Sequence, residues 1–456
     1  MNIFNKIDFN DIKKLLIETN KDNKIINLNY ETIINYINNG SKNIIFLFID
    51  NTKESILFFY ELIKNNNVPV LLSPDLDEKF IKTLIDKYEP NFILTLSNLN
   101  IYKKDFKKVK KFTQYYLFEE KKRKEHHIYK DLCLLMSTSG TTGSPKLVKL
   151  SYENIYHNTK SICKFLKINN SDTTITTLQP HYTFGLSIIN THLYSRAKII
   201  MNKSSFLEKN FWDKFSKYKI NSFGGVSFMY EILKKIRFEN MNLDNVKYIT
   251  HAGGKLNSNL HRYILKICKE QNIKFITMYG QTEATSRISY LNSKYSQKKI
   301  SSIGKAIPGG KMFFEKNKNE GEIYYKGKNI MNGYAYNLRD LSYKEDIKIL
   351  KTGDYGWKDK DGFFYIKGRK DRFIKNFGHR INLDEIDSLL KDKGYTTATK
   401  YDGKFFKIFH NKNYNFDNIK KIISSKLYIN KKYILEKKIN IMPMTTSGKI
   451  KYSSLK

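Results

Sequence analysis

The sequence predicts an α/β fold of stacked layers, and three observations carry that prediction. Apolar runs of strand length alternate with amphipathic helical patterns up to about residue 368. From Gly321 the pattern turns strand-rich, in GEIYYKG and then in DGFFYIKGRKD, which reads as a hairpin strand running into a charged connector. The chain has 456 residues, enough for two or three domains or for one large α/β domain plus a small one.

Early in the chain, FLFIDNTKESILFFYELIKNNNVPVLLSP alternates strand, helix and strand. The leading MNIFNKIDFND has neither an apolar stretch nor a small-residue cleavage site, so export is not expected. No apolar run approaches the roughly 20 residues that cross a bilayer, so no transmembrane segment is expected either. Cys133, Cys163 and Cys268 are odd in number and isolated among apolar residues, as buried thiols in a reducing cytoplasm would be. No Cys/His spacing reads as a zinc site. The formal charge of +37 raises a nucleic-acid reading. The basic residues are scattered, as in KKDFKKVKKF, and travel with Asn and Ile, a compositional bias of AT-rich coding. Specific nucleic-acid binding is therefore not expected.

The run STSGTTGSPK, Ser137 to Lys146, is dense in hydroxyls and glycines ahead of a lysine. Small residues let backbone N–H groups approach an anion, and the lysine adds charge. It is not the common phosphate loop, because Pro145 stands where that pattern needs its last glycine. Taken alone, the run also fits a flexible linker. Its setting argues otherwise: LCLLM before it reads as a buried strand, and LVKLSYENIYHNTKSICKFL after it as a short strand with a helix opening near Ser151.

Three further segments follow: MYGQTEAT at Met278 to Thr285, KTGDYGWKDKDGFFYIKGRKDRFIKNFGHRIN at Lys351 to Asn382, and a closing MPMTTSGKIKYSSL. With the hydroxyl-rich loop they resemble, in order and spacing, the signature motifs of the adenylate-forming superfamily: acyl-CoA synthetases, peptide-synthetase adenylation domains and luciferases. The chain is most like a stand-alone bacterial acyl-CoA synthetase. The resemblance implies a large N-terminal AMP-binding domain over 1–368, a hinge at 369–371, and a small mobile α+β lid over 372–456. In the lid, helices are expected from LDEIDSLLKD and NFDNIKKIISSKLY, with strands in TTATKYDGKFFKIFH. KYDG, Lys400 to Gly403, matches the lysine motif of nucleic-acid ligases, but too little chain follows it for their catalytic domain, and it reads as a turn.

The chemistry implied is attack of a carboxylate on the α-phosphate of ATP, two anions that repel, followed by transfer of the acyl group to a thiol. Such a site must screen charge and hold both groups in line. By resemblance, Thr138, Ser139, Gly140, Thr141, Thr142, Gly143 and Lys146 hold the phosphates that leave as pyrophosphate. Glu283 would bind Mg²⁺, and Thr282 the α-phosphate. Gly253 and Gly254 would lie against adenine, with Tyr279 and Gly280 on its other side; Asp354 and Arg369 would take the ribose hydroxyls. Lys449 would bridge the substrate carboxylate and the α-phosphate, and be withdrawn as the lid turns about Asp371 to present Gly378 and Arg380 to the thiol. That thiol would be coenzyme A or the phosphopantetheine of an acyl carrier protein.

The segment LQPHYTFGLSIIN resembles the motif lining the acyl pocket. Gly185 takes the position where amino-acid-activating relatives carry aspartate, so a fatty or other non-amino acid is expected. Tyr182 replaces the usual gating histidine, although His181 precedes it. Gly225 and Val226, in SFGGVSFMYEIL, would form another wall.

Overall fold

The computed structural model describes residues 2–18, 30–38, 40–97, 105–112, 114–122, 124–137, 145–315, 318–376, 379–427, 429–445 and 449–455, with backbone alone at 9, 30–32, 112, 375, 376, 379 and 380. Two large sheets carry most of the chain. The first has eight strands, in the order Tyr334–Ala335, Leu147–Ser151, Leu132–Ser137, Val68–Leu72, Ile44–Phe48, Phe92–Thr95, Tyr115–Glu120, Phe106–Phe112. Its central strands, IIFLF and VPVLL, are parallel and buried at every residue, as expected for strands covered on both faces.

The second sheet has twelve strands. A parallel part runs Leu16–Ile17, Lys198–Ile200, Thr173–Ile175, Ser222–Gly225, Tyr248–His251, Lys274–Tyr279. An antiparallel part continues through Ser289–Leu291, Ser302–Ala306, Phe364–Arg369, Leu350–Lys358, Glu320–Lys326 and Lys311–Phe313. Helices Lys53–Lys64, Tyr152–Leu166 and Thr183–Tyr194 join one apolar cluster that takes Ile45 and Leu47 from the first sheet and Leu16 and Ile199 from the second. Thr183–Tyr194 is buried from Thr183 to Leu193, the mark of a helix between two sheets. The fold is therefore α/β in stacked layers, as its alternating pattern predicts.

Beyond the connector, Phe373–Asn376 pairs with His379–Asn382, and a separate three-stranded sheet joins Ala398–Tyr401, Phe406–His410 and Ile434–Lys438. Helices Leu383–Asp392 and Phe416–Leu427 pack on it around Ile386, Leu390, Ile408, Ile419, Ile423 and Ile434. Only the second half of KYDG turns: Lys400 and Tyr401 belong to a strand, and the reversal is made by Asp402 and by Gly403 at φ +97°. Cys133 and Cys268 are buried and Cys163 half-buried; burial pushes the Cys163 and Cys268 thiols up to about 11 and about 12. Among the described residues no helix is long and apolar enough to cross a membrane.

Candidate active site

Three neighbouring parallel strands, Ser222–Gly225, Tyr248–His251 and Lys274–Tyr279, stop at one edge of the second sheet. The turns after them bring Val226, Gly253–Gly254 and Gln281–Glu283 to the carboxyl ends of the strands, the usual place for a ligand in an open α/β sheet. Gly253 sits at φ +85°, and a Cβ there would stand 2.7 Å from the Tyr182 hydroxyl and 3.0 Å from Val226 Cγ1. The bare backbone is thus a steric requirement. Gly280 is bare for a related reason, since a Cβ would sit on the Ser286 carbonyl as the YGQTEATSR loop folds back on itself.

Hydroxyl-rich Thr138 to Gly143 lie outside the described residues, but the stem of their loop is visible. Leu132–Ser137 and Leu147–Ser151 form an antiparallel pair, and Ser151 caps helix Tyr152–Leu166 in a capping box with Asn154. Tyr88 Oη lies 2.8 Å from the Pro145 carbonyl and 2.7 Å from that of Ala335. Lys146 projects from the stem with its ammonium 4.1 Å above the Tyr334 ring. Tyr334 Oη donates to Glu283 Oε1 at 2.8 Å. One tyrosine thus links the loop lysine to the acid expected to carry the metal. Tyr334 escaped the sequence reading because its strand is two residues long; it is placed by pairing with Val148.

Opposite, strand register sets Asp354 directly across from Arg369, and Arg369 Nε meets Asp354 Oδ1 at 3.0 Å. Tyr279 Oη donates to Asp354 Oδ2. Burial pushes the Asp354 carboxyl up, against the pull of Arg369 and of the Tyr279 phenol. Thr282 is buried in the 3₁₀ turn Thr282–Ala284.

Lys449 reaches this group from the small C-terminal unit. It ends a tight hairpin in which Lys449 N donates to Thr445 Oγ1 at 3.0 Å and Thr445 N to the Lys449 carbonyl at 2.7 Å. Burial and the neighbouring Arg369 charge lower its pKa, while Asp354 raises it. The connector residue Asp371 lies in the 3₁₀ turn Lys370–Arg372 and is exposed. Asn257 donates to Asp392, and Lys391 pairs with Glu231 at 2.8 Å, across the gap between the two units. Gly378 lies outside the described residues; Arg380 pairs in backbone register with Lys375.

A narrow cavity, the candidate acyl cavity, lies along the same strands, walled by Phe184, Ile188, Phe223, Tyr248, Met278 and Arg287. One expectation gives way here. Gly185 does not mark a missing acid, because a Cβ would collide with the carbonyls of Leu178 and Gln179; no side chain fits without moving backbone. Gly225 and Val226 are not among the cavity's lining residues: a Cβ on Gly225 would press on Tyr230, and Val226 faces Gly253. His181 is nearly buried, with Nδ1 unpartnered and its pKa lowered by burial.

The sequence reading also missed Arg287. It is 3 % exposed, and its guanidinium lies 4.0 Å over the Phe184 ring. Its Nη1 donates to Ser286 O and Oγ, and Nε to Met278 Sδ at 3.3 Å. Among the described residues no carboxylate pairs with it. A desolvated cation–π contact is worth about 2 kcal/mol, against a cost of several kcal/mol for an ion taken out of water. Burial lowers the arginine only to about 10, so the charge stays on at neutral pH.

The sequence matches the AMP-binding enzyme family over residues 36–335. The 2-succinylbenzoate–CoA ligase of Listeria innocua serovar 6a is 29 % identical over 334 residues, 71 % of this chain and 69 % of that protein. The oxalate–CoA ligase of Saccharomyces cerevisiae is 26 % identical over 269 residues, 57 % of this chain and 49 % of that protein. Among solved structures, O-succinylbenzoate coenzyme A synthetase from Bacillus subtilis in complex with AMP superposes with a TM-score of 0.79, at 20 % identity, over 100 % of this chain and 98 % of that one. The chain belongs to the AMP-binding enzyme family and is an AMP-forming acid–thiol ligase of the acyl-CoA synthetase kind.

Proposed function

We propose that this enzyme joins ATP and a non-amino carboxylic acid to an acyl adenylate, releasing pyrophosphate, and passes the acyl group to coenzyme A. One observation carries the reading: Lys449, from the last residues of the chain, stands in the field of Asp354 and Arg369 on the large sheet. A cation delivered there from a separate unit is suited to neutralise the charge that grows between carboxylate and α-phosphate. Coenzyme A is preferred over a carrier protein because the relatives above are named as CoA ligases.

The residues fit the expected cofactors. Among the described residues Tyr334 engages one oxygen of Glu283, nothing is shown to engage the other, and no group of three or more metal-ligating side chains stands together. Mg²⁺ bound mainly through phosphates and water needs no more than that. Bound there, it would supply Lewis-acid screening of the phosphates. Lys146 then neutralises the leaving pyrophosphate, Thr282 orients the α-phosphate, and Asp354 with Arg369 holds the ribose. Gly253 and Gly254 would lie against adenine, Gly253 being kept bare by the Tyr182 hydroxyl and Val226 beside it. The connector at Asp371 serves as the hinge between residues 1–368 and the lid.

Arg287 bears on the far end of the acid: a substrate carrying a cation there would meet like charge with like. The test is pyrophosphate exchange into ATP with Mg²⁺ over a panel of acids, then with coenzyme A. Acid-dependent exchange and release of AMP are expected. ADP and phosphate as products with a cognate acid would overturn the mechanism.

A further inference from the structure

Arg287 is a charge without a counter-ion at the inner wall of the acyl cavity. The other walls are mostly apolar: Phe184, Ile188, Phe223 and Met278. Tyr248 faces the same space, and its buried Oη makes no hydrogen bond of ordinary geometry. His251 Nδ1, also buried and unpartnered, lies within the field of the guanidinium. Tyr182 stands between Gly253 and Arg287, its hydroxyl over the former and within electrostatic reach of the latter. An acid activated beside Gly253 would extend inward past Tyr182 and end at Arg287.

A purely structural arginine would be expected to have its charge answered by the protein. Arg372 is such a residue, paired with Asp384 and, at 2.7 Å, with Asp387. Arg287 has two donor contacts to Ser286, one to a thioether and one aromatic face, all neutral. Planar, forked and always charged, a guanidinium matches a carboxylate with two parallel hydrogen bonds.

We infer that Arg287 is the anchoring site for a second carboxylate on the acyl substrate, so that the enzyme selects acids carrying a negative charge at the end remote from the one it activates. The inference rests on the adenylation reading above and names its substrate class. The apolar walls would hold the body of the acid, and Tyr248 Oη would supply a further donor to the remote carboxylate.

The experiment compares pyrophosphate exchange for pairs of acids of equal carbon number, one with a single carboxylate and one with a carboxylate at each end, aliphatic and aromatic. The dicarboxylate of at least one pair should win by about 100-fold in kcat/KM, the scale of a buried charge pair. In Arg287→Met that ratio should fall towards one, chiefly through a higher KM for the dicarboxylate. Arg287→Lys, which keeps charge without the fork, should fall between and serves should the methionine variant not fold. Equal or better activation of the monocarboxylates, or a ratio unchanged in either variant, would overturn the assignment. Absence of exchange with every acid, while ATP still binds, would instead overturn the adenylation reading.

Discussion

Two regions of this molecule bury an arginine, and they treat it in opposite ways. At the root of the C-terminal unit, Arg372 has a side chain only 13 % exposed and is enclosed by Asp384, Asp387, the Thr399 carbonyl at 3.1 Å and the Tyr452 ring at 3.8 Å. Asp387 is itself held by Thr399 Oγ1 at 2.6 Å and Tyr452 Oη at 2.7 Å. At the inner wall of the acyl cavity, Arg287 is more deeply buried and meets only neutral groups. A fold that needs a charge for its own cohesion supplies the opposite charge beside it; one that keeps a charge for a ligand leaves that place open. In the proposed reaction Lys449 is of the second kind, with no ion pair among the described residues. The buried His192, His251 and His261 show a third treatment, in which the charge is given up altogether.

The sharpest test of the contrast is Arg372→Met, which leaves two carboxylates facing each other. Breaking a buried pair in this way costs about 3–5 kcal/mol, so the C-terminal unit should become protease-sensitive at markedly lower urea. Arg287→Met should leave the urea midpoint equal or higher. Equal destabilisation by both variants would erase the distinction.

Next in size, Lys449→Ala should lower adenylate formation by about 100- to 1,000-fold, the effect of removing one oriented donor, without lowering the melting temperature. Thioester formation from pre-made acyl adenylate should survive. Loss of both half-reactions in a folded protein would show that Lys449 serves the structure instead.

The smallest effect concerns the groups that surrender their charge. Burial holds His192, His251 and His261 down to about 4, 3 and 4. Their unfolded value is about 6.5, so the unfolded chain binds more protons below it. The stability they confer is full above about pH 6.5 and is lost as the pH falls towards 4. Between pH 7 and 6 the three together should remove about 2 kcal/mol, measured as a lower urea midpoint. A midpoint that held or rose on acidification would mean that one of them is charged in the native state.

Much of the fold could be read because it is written locally. The strand before Thr138, the cap at Ser151 and both helices of the C-terminal unit follow from residue patterns within a few positions. The order of the motifs picked out Lys146, Glu283, Asp354, Arg369 and Lys449; the structure sets Lys146 and Glu283 against the same Tyr334, and Lys449 in the field of the paired Asp354 and Arg369. What could not be read depends on partners distant in sequence. SRIS looks like a polar loop, and nothing in it tells that Arg287 will be sealed beneath Phe184, a hundred residues earlier. Tyr334 becomes informative only through its pairing with Val148. Gly185 looked like a statement about substrate, yet its bareness answers the carbonyls of Leu178 and Gln179.

The register that sets Asp354 across from Arg369 also bears on how the proposed ribose grip would relate to the proposed hinge. Arg369 is the last residue of its strand, and its backbone N–H already reaches Asp384 of the C-terminal unit at 3.0 Å. One residue therefore faces two ways. Its side chain is spaced by a ladder of the large sheet, and its peptide belongs to the joint. In the proposed reaction, a turn beyond Lys370 would release Asp384 without altering the spacing between Arg369 and Asp354, so an adenylate would stay clamped by its sugar while Lys449 is withdrawn.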